Sequence, residues 1–390
     1  MWKYFYGLCF CLLCACTTTK QKEVTSITEQ TALRPDSFAS DSAMLDYIQK
    51  VHFNYMWDGA EKKSGLALER IHLDGYYPQH DSLTVTTGGS GFGIAGILVA
   101  IERNFITREE GLKRLHQIVD YLTEADRFHG VWPHWLDGPT GKVKPFGQKD
   151  DGGDLVESSF VMQSLLCVRQ YFAQGNEEEQ QLCDKINRLW HEMEFDWYQN
   201  GKDVIYWHWS PRYAWEMNFP LEGYNECLIT YILAASSPTY PIPASAYHNG
   251  WARKGGIKSD AVAYDLPLIL KHNYAEEYGG PLFWAHYSYI GLCPVGLSDR
   301  YANYWDLNRN HVLIDYRYCA ENPKGFKGYS DACWGLTASY SVKGYNAHMP
   351  SNDHGVITPT AALSSYPYTP EESSKALKHF YFNLGDSIWG

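Results

Sequence analysis

Positive charge is the scarcest resource in this chain: 33 Lys and Arg stand against 45 Asp and Glu, for a net charge of −12. Binding to a phosphate backbone rests on cationic neutralisation, so nucleic acid is excluded as a natural partner. Zinc-binding patterns are also missing. Four of the ten cysteines lie in the first 16 residues, and none of the other six (Cys167, Cys183, Cys227, Cys293, Cys319, Cys333) forms a C-x-x-C pair or stands at finger spacing with His. The 15 His contain no H-E-x-x-H or comparable motif, so neither a metal nor a cofactor is expected. Sustained strand alternation is rare, and disorder is ruled out for the whole chain by 45% hydrophobic residues with 20% charged.

Aromatic residues, by contrast, are plentiful: 14 Trp, 30 Tyr and 16 Phe. So many rings exceed what an ordinary core needs, and part of them should face a ligand. A neutral, hydroxyl-rich, ring-shaped molecule suits them, because indole and phenol faces stack on the C–H faces of a sugar.

The first residues read as an address. Lys3 precedes an apolar run from Tyr4 to Leu13, and Leu13-Cys-Ala-Cys16 follows. Roughly ten apolar residues are half of what a bilayer span requires. A small residue just before a cysteine resembles the bacterial lipobox, so residues 1–15 are expected to be a signal peptide and Cys16 the lipid-attachment site. Residues 16–40 are polar and lack apolar periodicity, as a flexible tether would. The expected location is the cell envelope, at the periplasmic or outer-membrane face, and the expected state is a monomer.

From about residue 41 to 390 the helical period dominates. Ile94, Leu98, Ile101 and Phe105 recur at three- and four-residue steps, as do Leu112, Leu115, Val119 and Leu122. Thr107-Arg-Glu-Glu110 is a capping box, and Thr369-Pro-Glu-Glu372 adds proline at the first helical position. Amphipathic helices are predicted near 41–57, 108–125, 177–196, 259–278, 299–318 and 371–386. Apolar ones, each preceded by a loop rich in Gly and Trp, are predicted near 91–103, 154–173, 224–235, 282–291 and 333–341. Helices apolar on every side pack inside those charged on one face, which predicts an all-α fold, the (α/α)6 toroid. Six outer helices against five inner ones leave the expectation of a truncated C-terminus. In such a toroid the loops before the inner helices share one rim. Gly91-Phe-Gly-Ile-Ala-Gly96 fits G-x-G-x-x-G, but no βαβ pattern surrounds it, and its glycines are read as allowing a tight turn and close helix packing.

The candidate chemistry sits at that rim. Asp154 and Glu157, in Asp150-Asp-Gly-Gly-Asp154-Leu-Val-Glu157, share a helix face with Cβ atoms about 5–6 Å apart. Glu226 follows a loop crowded with Trp207, His208, Trp209 and Trp215, and Tyr224 and Asn225 immediately precede it. Carboxyls paired in a cleft are what glycoside hydrolysis requires, one as acid and one as base or nucleophile. Each also has a structural alternative, as a helix cap or a first-turn acid. His129, Trp132, His134, Trp135, Trp284 and His286 are further candidates for sugar contacts.

At these residues the chain resembles the glucoamylase-like glycoside hydrolases of family 144 from Bacteroidota, which contain endo-β-1,2-glucanases. The segments that carry the resemblance include Thr87-Gly-Gly-Ser-Gly-Phe-Gly-Ile94, Phe128 to Leu136, Asp151 to Glu157, Tyr224 to Tyr231, Gly280 to Tyr287 and Trp334 to Tyr340. The resemblance implies the toroid, metal-free hydrolysis of a β-glucan with inversion, and Asp154, Glu157 and Glu226 as the functional carboxylates. An exo-acting glucan hydrolase and a non-catalytic glycan-binding lipoprotein are the rival readings.

Overall fold

The computed structural model describes residues 34–385 except residue 73. The expected signal peptide, Cys16 and most of the expected tether lie outside the described residues.

Nine α-helices and nine short strands alternate irregularly among the described residues. In chain order they are α1 (Asp41–Trp57), β1 (Thr84–Thr86), α2 (Thr87–Glu102), α3 (Arg108–Glu124), β2 (Trp135–Asp137), β3 (Val143–Lys144), β4 (Gly153–Asp154), α4 (Leu155–Phe172), α5 (Glu177–His191), β5 (His208–Trp209) and α6 (Leu228–Ser236). β6 (Val262–Ala263), β7 (Leu266–Pro267), α7 (Tyr304–Glu321), β8 (Ala338–Ser341), β9 (Gly344–Ala347), α8 (Pro359–Ser364) and α9 (Pro370–His379) follow. The strands pair antiparallel in β1-β2-β3, β4-β5, β6-β7 and β8-β9, so the fold is mostly helical.

The two kinds of helix predicted from the sequence are present. α3 starts at the Thr107–Glu110 capping box, formed in both directions, and buries Leu112, Leu115, Val119 and Leu122. Each such aliphatic side chain contributes about 1.5–3 kcal/mol relative to exposure. α5 is capped in the same way, by Asn176 and Glu179. α2 and α4 are buried over most of their lengths and pack on each other. Gly91 makes this possible, because a Cβ there would collide with the Phe160 carbonyl. Close packing is thus the use of that glycine; the tight turn is not, since Gly91, Gly93 and Gly96 all lie inside α2.

Three predicted helices are not formed. Residues 259–278 carry only β6, β7 and turns, residues 282–291 make two 3-10 turns (Leu282–Ala285 and Tyr287–Tyr289), and residues 333–341 run extended into β8. Their apolar spacing mimics a helix, but Tyr264, Asp265 and Tyr274 in the first segment adopt φ of +54°, +60° and +59°, and Gly335 in the third adopts +118°, which breaks a right-handed course. Thr369 likewise does not cap α9, because its hydroxyl donates to the Ser365 carbonyl instead; Pro370 does occupy the first helical position.

Candidate functional site

The site is built where β4 hands over to α4. Asp154 ends the strand and caps the helix, its Oδ1 accepting from the backbone N–H groups of Val156 (3.1 Å) and Glu157 (3.0 Å). The same oxygen accepts from the indole of Trp207 at 2.8 Å. Its other oxygen faces His134 Nδ1 at 2.9 Å and His208 Nε2 at 3.4 Å. His208 is brought there by strand pairing, directly opposite Asp154 on β5, and also reaches Asp150 at 3.3 Å. The result is a buried chain in which carboxylates and imidazoles alternate: Asp150, His208, Asp154, His134.

The charge states follow from this arrangement. Burial alone would raise the Asp154 carboxyl, but the charges and hydrogen bonds of His208 and His134 outweigh it and hold Asp154 below the ordinary range. Burial would likewise lower both imidazoles; the surrounding carboxylates instead raise His134 to about 9 and His208 to about 10. Asp154 is therefore a fully buried anion locked between two cations, with no accessible face. What it touches here are the imidazoles and the start of α4, which it positions.

Glu157, one turn into α4, is half-buried and accepts from the Gly88 N–H at 2.9 Å. Gly88 must be glycine, because a Cβ would run into the Glu157 carboxylate. Burial, partly offset by His134, raises this carboxyl to about 7. Glu226 lies two residues before α6, not within the helix. Burial and then the charges of Glu157 and Asp154, against its own backbone N–H, raise it to about 8, and its buried Oε2 has no hydrogen-bond partner. Three acids thus occupy one site in different states: one held ionised, two poised near neutrality. That separation is what acid–base work at neutral pH requires.

The predicted aromatic residues divide. Trp135 on β2 packs edge-on against the half-exposed Phe146 at 4.8 Å, and His134 stacks on the same ring at 4.1 Å, making a wall beside the imidazoles. Trp207 is half-buried and bonded to Asp154, as above. Trp132, Tyr224 and Trp284, expected to touch sugar, are buried instead. Trp132 donates to the Leu122 carbonyl at 2.9 Å, and Tyr224 exchanges hydrogen bonds with Tyr289, Asn308 and the Trp284 carbonyl. Asn225 is buried and caps the Cys227 N–H, while His286 pairs with the Ser365 hydroxyl at 3.0 Å. Trp209 and Trp215 belong to a separate cluster with Trp197, whose ring centroid is 5.9 Å from that of Trp209 and 6.4 Å from that of Trp215.

Sequence reasoning missed Asp150 and Gly88, and it did not place His208 among the site residues. His208 was flanked by two tryptophans, and only the β4–β5 register shows which way it points. Tyr287 and Tyr345 were also missed. Burial and then the charge of Glu157 raise both phenols, with Glu226 adding to it, so both lie within electrostatic reach of the acids. Among the described residues His134, Asp150 and Asp154 bring ligand atoms within 4.8 Å of one another. Against burial, the neighbouring carboxylates, Glu157 foremost, raise His134 to about 9, so a cation bound there would have to displace the imidazole's proton.

Known proteins share this architecture. The family described as "Putative glucoamylase" (Glycoamylase) matches residues 218–390. An endo-β-1,2-glucanase from Chitinophaga pinensis, solved in complex with sophorotriose and glucose, superposes with a TM-score of 0.87 at 62% identity, covering 89% of this chain and 84% of that one. An exo β-1,2-glucooligosaccharide sophorohydrolase (non-reducing end) from Parabacteroides distasonis is 46% identical over 369 residues, which cover 90% of this chain but 50% of the relative. The chain therefore spans about half the length of that curated relative. An endo-β-1,2-glucanase from Talaromyces funiculosus shares only the fold, at 12% identity and a TM-score of 0.59.

Proposed function

From the premise that the chain belongs to the glucoamylase-like family of glycoside hydrolases, family 144, we propose that it hydrolyses β-1,2-glucan and does so within the chain. The (α/α)6 toroid, with its rim carrying the acids, is part of this reading. Endo action is favoured by the 62% identity to an endo-acting enzyme over most of both chains, against 46% to an exo-acting one twice as long.

The observation that carries the chemistry is Glu226: a buried carboxyl raised to about 8, with one oxygen free of partners. At neutral pH it holds a proton to give to the glycosidic oxygen. Glu157, raised to about 7, is the group that activates water from the other face. An inverting pair needs room for that water, with carboxyls roughly 6.5–9.5 Å apart. Asp154 stays ionised and keeps the imidazoles in place; Trp135 and Phe146 offer ring faces to the glucosyl units.

The decisive experiment is Glu226→Gln assayed on linear β-1,2-glucan. Reducing-end release should fall by about 10²–10⁴-fold with the fold intact; a variant as active as the parent removes Glu226 from the mechanism. The parent's rate should fall below pH about 7 as Glu157 gains a proton, and above about 8 as Glu226 loses one. A spread of oligosaccharide products marks endo action; sophorose alone marks exo action. We propose further that Cys16 carries a lipid anchor; Cys16→Ala should release the protein from the membrane fraction.

A further inference from the structure

Trp209 and Trp215 stand apart from the acids, and the reason lies in strand geometry. Neighbouring residues on a strand point to opposite faces. His208 turns into the Asp154 network, so Trp209 turns the other way, against His129 at 4.9 Å and Trp197 at 5.9 Å. There His129 stacks flat on Trp197, with ring centroids 3.7 Å apart and planes 13° apart. Trp215 comes to 6.4 Å from Trp197 and is itself backed by Tyr198 and Tyr206.

This cluster is fixed before any ligand arrives. His129 holds a left-handed φ of +55°, its Nδ1 lies 2.8 Å from Glu194 Oε2, and its carbonyl accepts from the Glu194 N–H. Yet Trp197 remains 40% exposed despite three aromatic neighbours, and with Glu194, Asp196, Asn200, Trp215 and Tyr240 it lines a recess of about 390 Å³. The recess combines flat apolar faces with carboxylate and amide groups. Carboxylates accept from hydroxyls and repel phosphates, sulfates and uronic acids. Rings already locked in place lose little freedom on binding.

We infer that this recess is a second carbohydrate-binding site, which takes a neutral glucan chain away from the carboxylates that cut it. The choice of glucan rests on the proposed function; the existence of the site rests on the cluster. Its use is to hold the polymer while another stretch lies at Glu226.

The test is electrophoresis in native gels containing β-1,2-glucan, with the Glu226→Gln protein so that the polymer survives. Adding Trp197→Ala should weaken the apparent affinity by about fivefold or more, roughly 1 kcal/mol. Trp197→Phe, which keeps a ring, should recover part of it. Equal retardation of Glu226→Gln with and without Trp197→Ala overturns the site, as does a lack of retardation in both. Thermal unfolding of each variant checks that the fold is intact. Hydrolysis of the polymer by the parent protein tests the proposed function separately: a parent that cuts the glucan, with retardation indifferent to Trp197, loses the second site and keeps the function.

Discussion

Two of the polar clusters buried among the described residues solve the problem of burial in opposite ways. Around Asp154, carboxylates and imidazoles alternate: Asp150, His208, Asp154 and His134 meet at 2.9 to 3.4 Å, and Asp154 and the two imidazoles hold each other charged. Around Gly280, charge is given up. His272 Nδ1 accepts from the Gly280 N–H at 3.0 Å and His311 Nε2 donates to the Gly280 carbonyl at 2.7 Å, while the remaining ring nitrogens have no partner. Burial lowers both imidazoles, His311 to about 4. One helical turn along α7, Asp315 is raised far above its ordinary value by burial, with no cation beside it. Depth alone therefore does not set charge; the presence of an opposite charge does. Glu226 belongs to the second type by its own environment but sits near the first, which is how a protonated acid comes to face ionised groups.

Removing the central anion should break this contrast most severely. Asp154→Asn leaves two buried cations facing each other, and breaking a buried pair costs about 3–5 kcal/mol. The sign with pH is set by both partners. Asp154, lowered from 3.8, stabilises above that value and loses this as pH falls; His134 and His208, raised from 6.5 to about 9 and about 10, stabilise fully below 6.5 and lose this as pH climbs. The gap in urea-unfolding free energy between parent and variant should be widest between pH 3.8 and 6.5 and close through pH 9 to 10. A gap independent of pH would mean that the imidazoles are not charged partners.

The contrast also explains how much of the site the sequence revealed. The Asp154–Glu157 spacing and the Thr107 box were legible because local backbone geometry dictates them. The helices α1, α3 and α5 were legible from period, as were α2 and α4. Tertiary choices were not. A tryptophan count cannot separate Trp132, Trp251 and Trp334, all fully buried, from Trp197, which is exposed. Nor could spacing show that the helix expected over 259–278 yields to short strands, or that His208 and Trp209 part to opposite faces. The surplus of rings was real, but a good share of it fills the core.

Asp315→Asn tests the uncharged cluster, with the opposite expectation. The carboxyl is already protonated in the fold, its Oδ1 accepts from the Leu336 N–H at 3.2 Å, and an amide oxygen does the same. Because the folded-state value is raised, the parent is favoured below 3.8 and loses stability as pH rises above it. Asparagine does not titrate, so the variant should gain on the parent steadily as pH rises above 3.8 towards neutrality. A loss at pH 7 comparable to that of Asp154→Asn would erase the distinction between the two clusters.

His311→Gln should have the smallest effect, seen mainly in the acid limb. Gln keeps an N–H donor for the Gly280 carbonyl. It loses the ring contact with His272, whose centroid lies 4.4 Å away, at a cost of about 1 kcal/mol at neutral pH. Below 6.5 the sign reverses. An imidazole held neutral in the fold takes up its proton more readily once unfolded, so the parent loses stability as pH falls from 6.5 towards about 4. A variant that cannot take up that proton avoids this loss, at most about 1.4 kcal/mol per pH unit. The two stability curves should therefore cross on the acid side, because burial holds the His311 ring neutral down to about 4 in the fold and the unfolded ring takes up its proton near 6.5. Curves that stay parallel below pH 6.5, with the parent's advantage shrinking above it, would mean that His311 is charged in the fold like His134, and that the two clusters differ only in place.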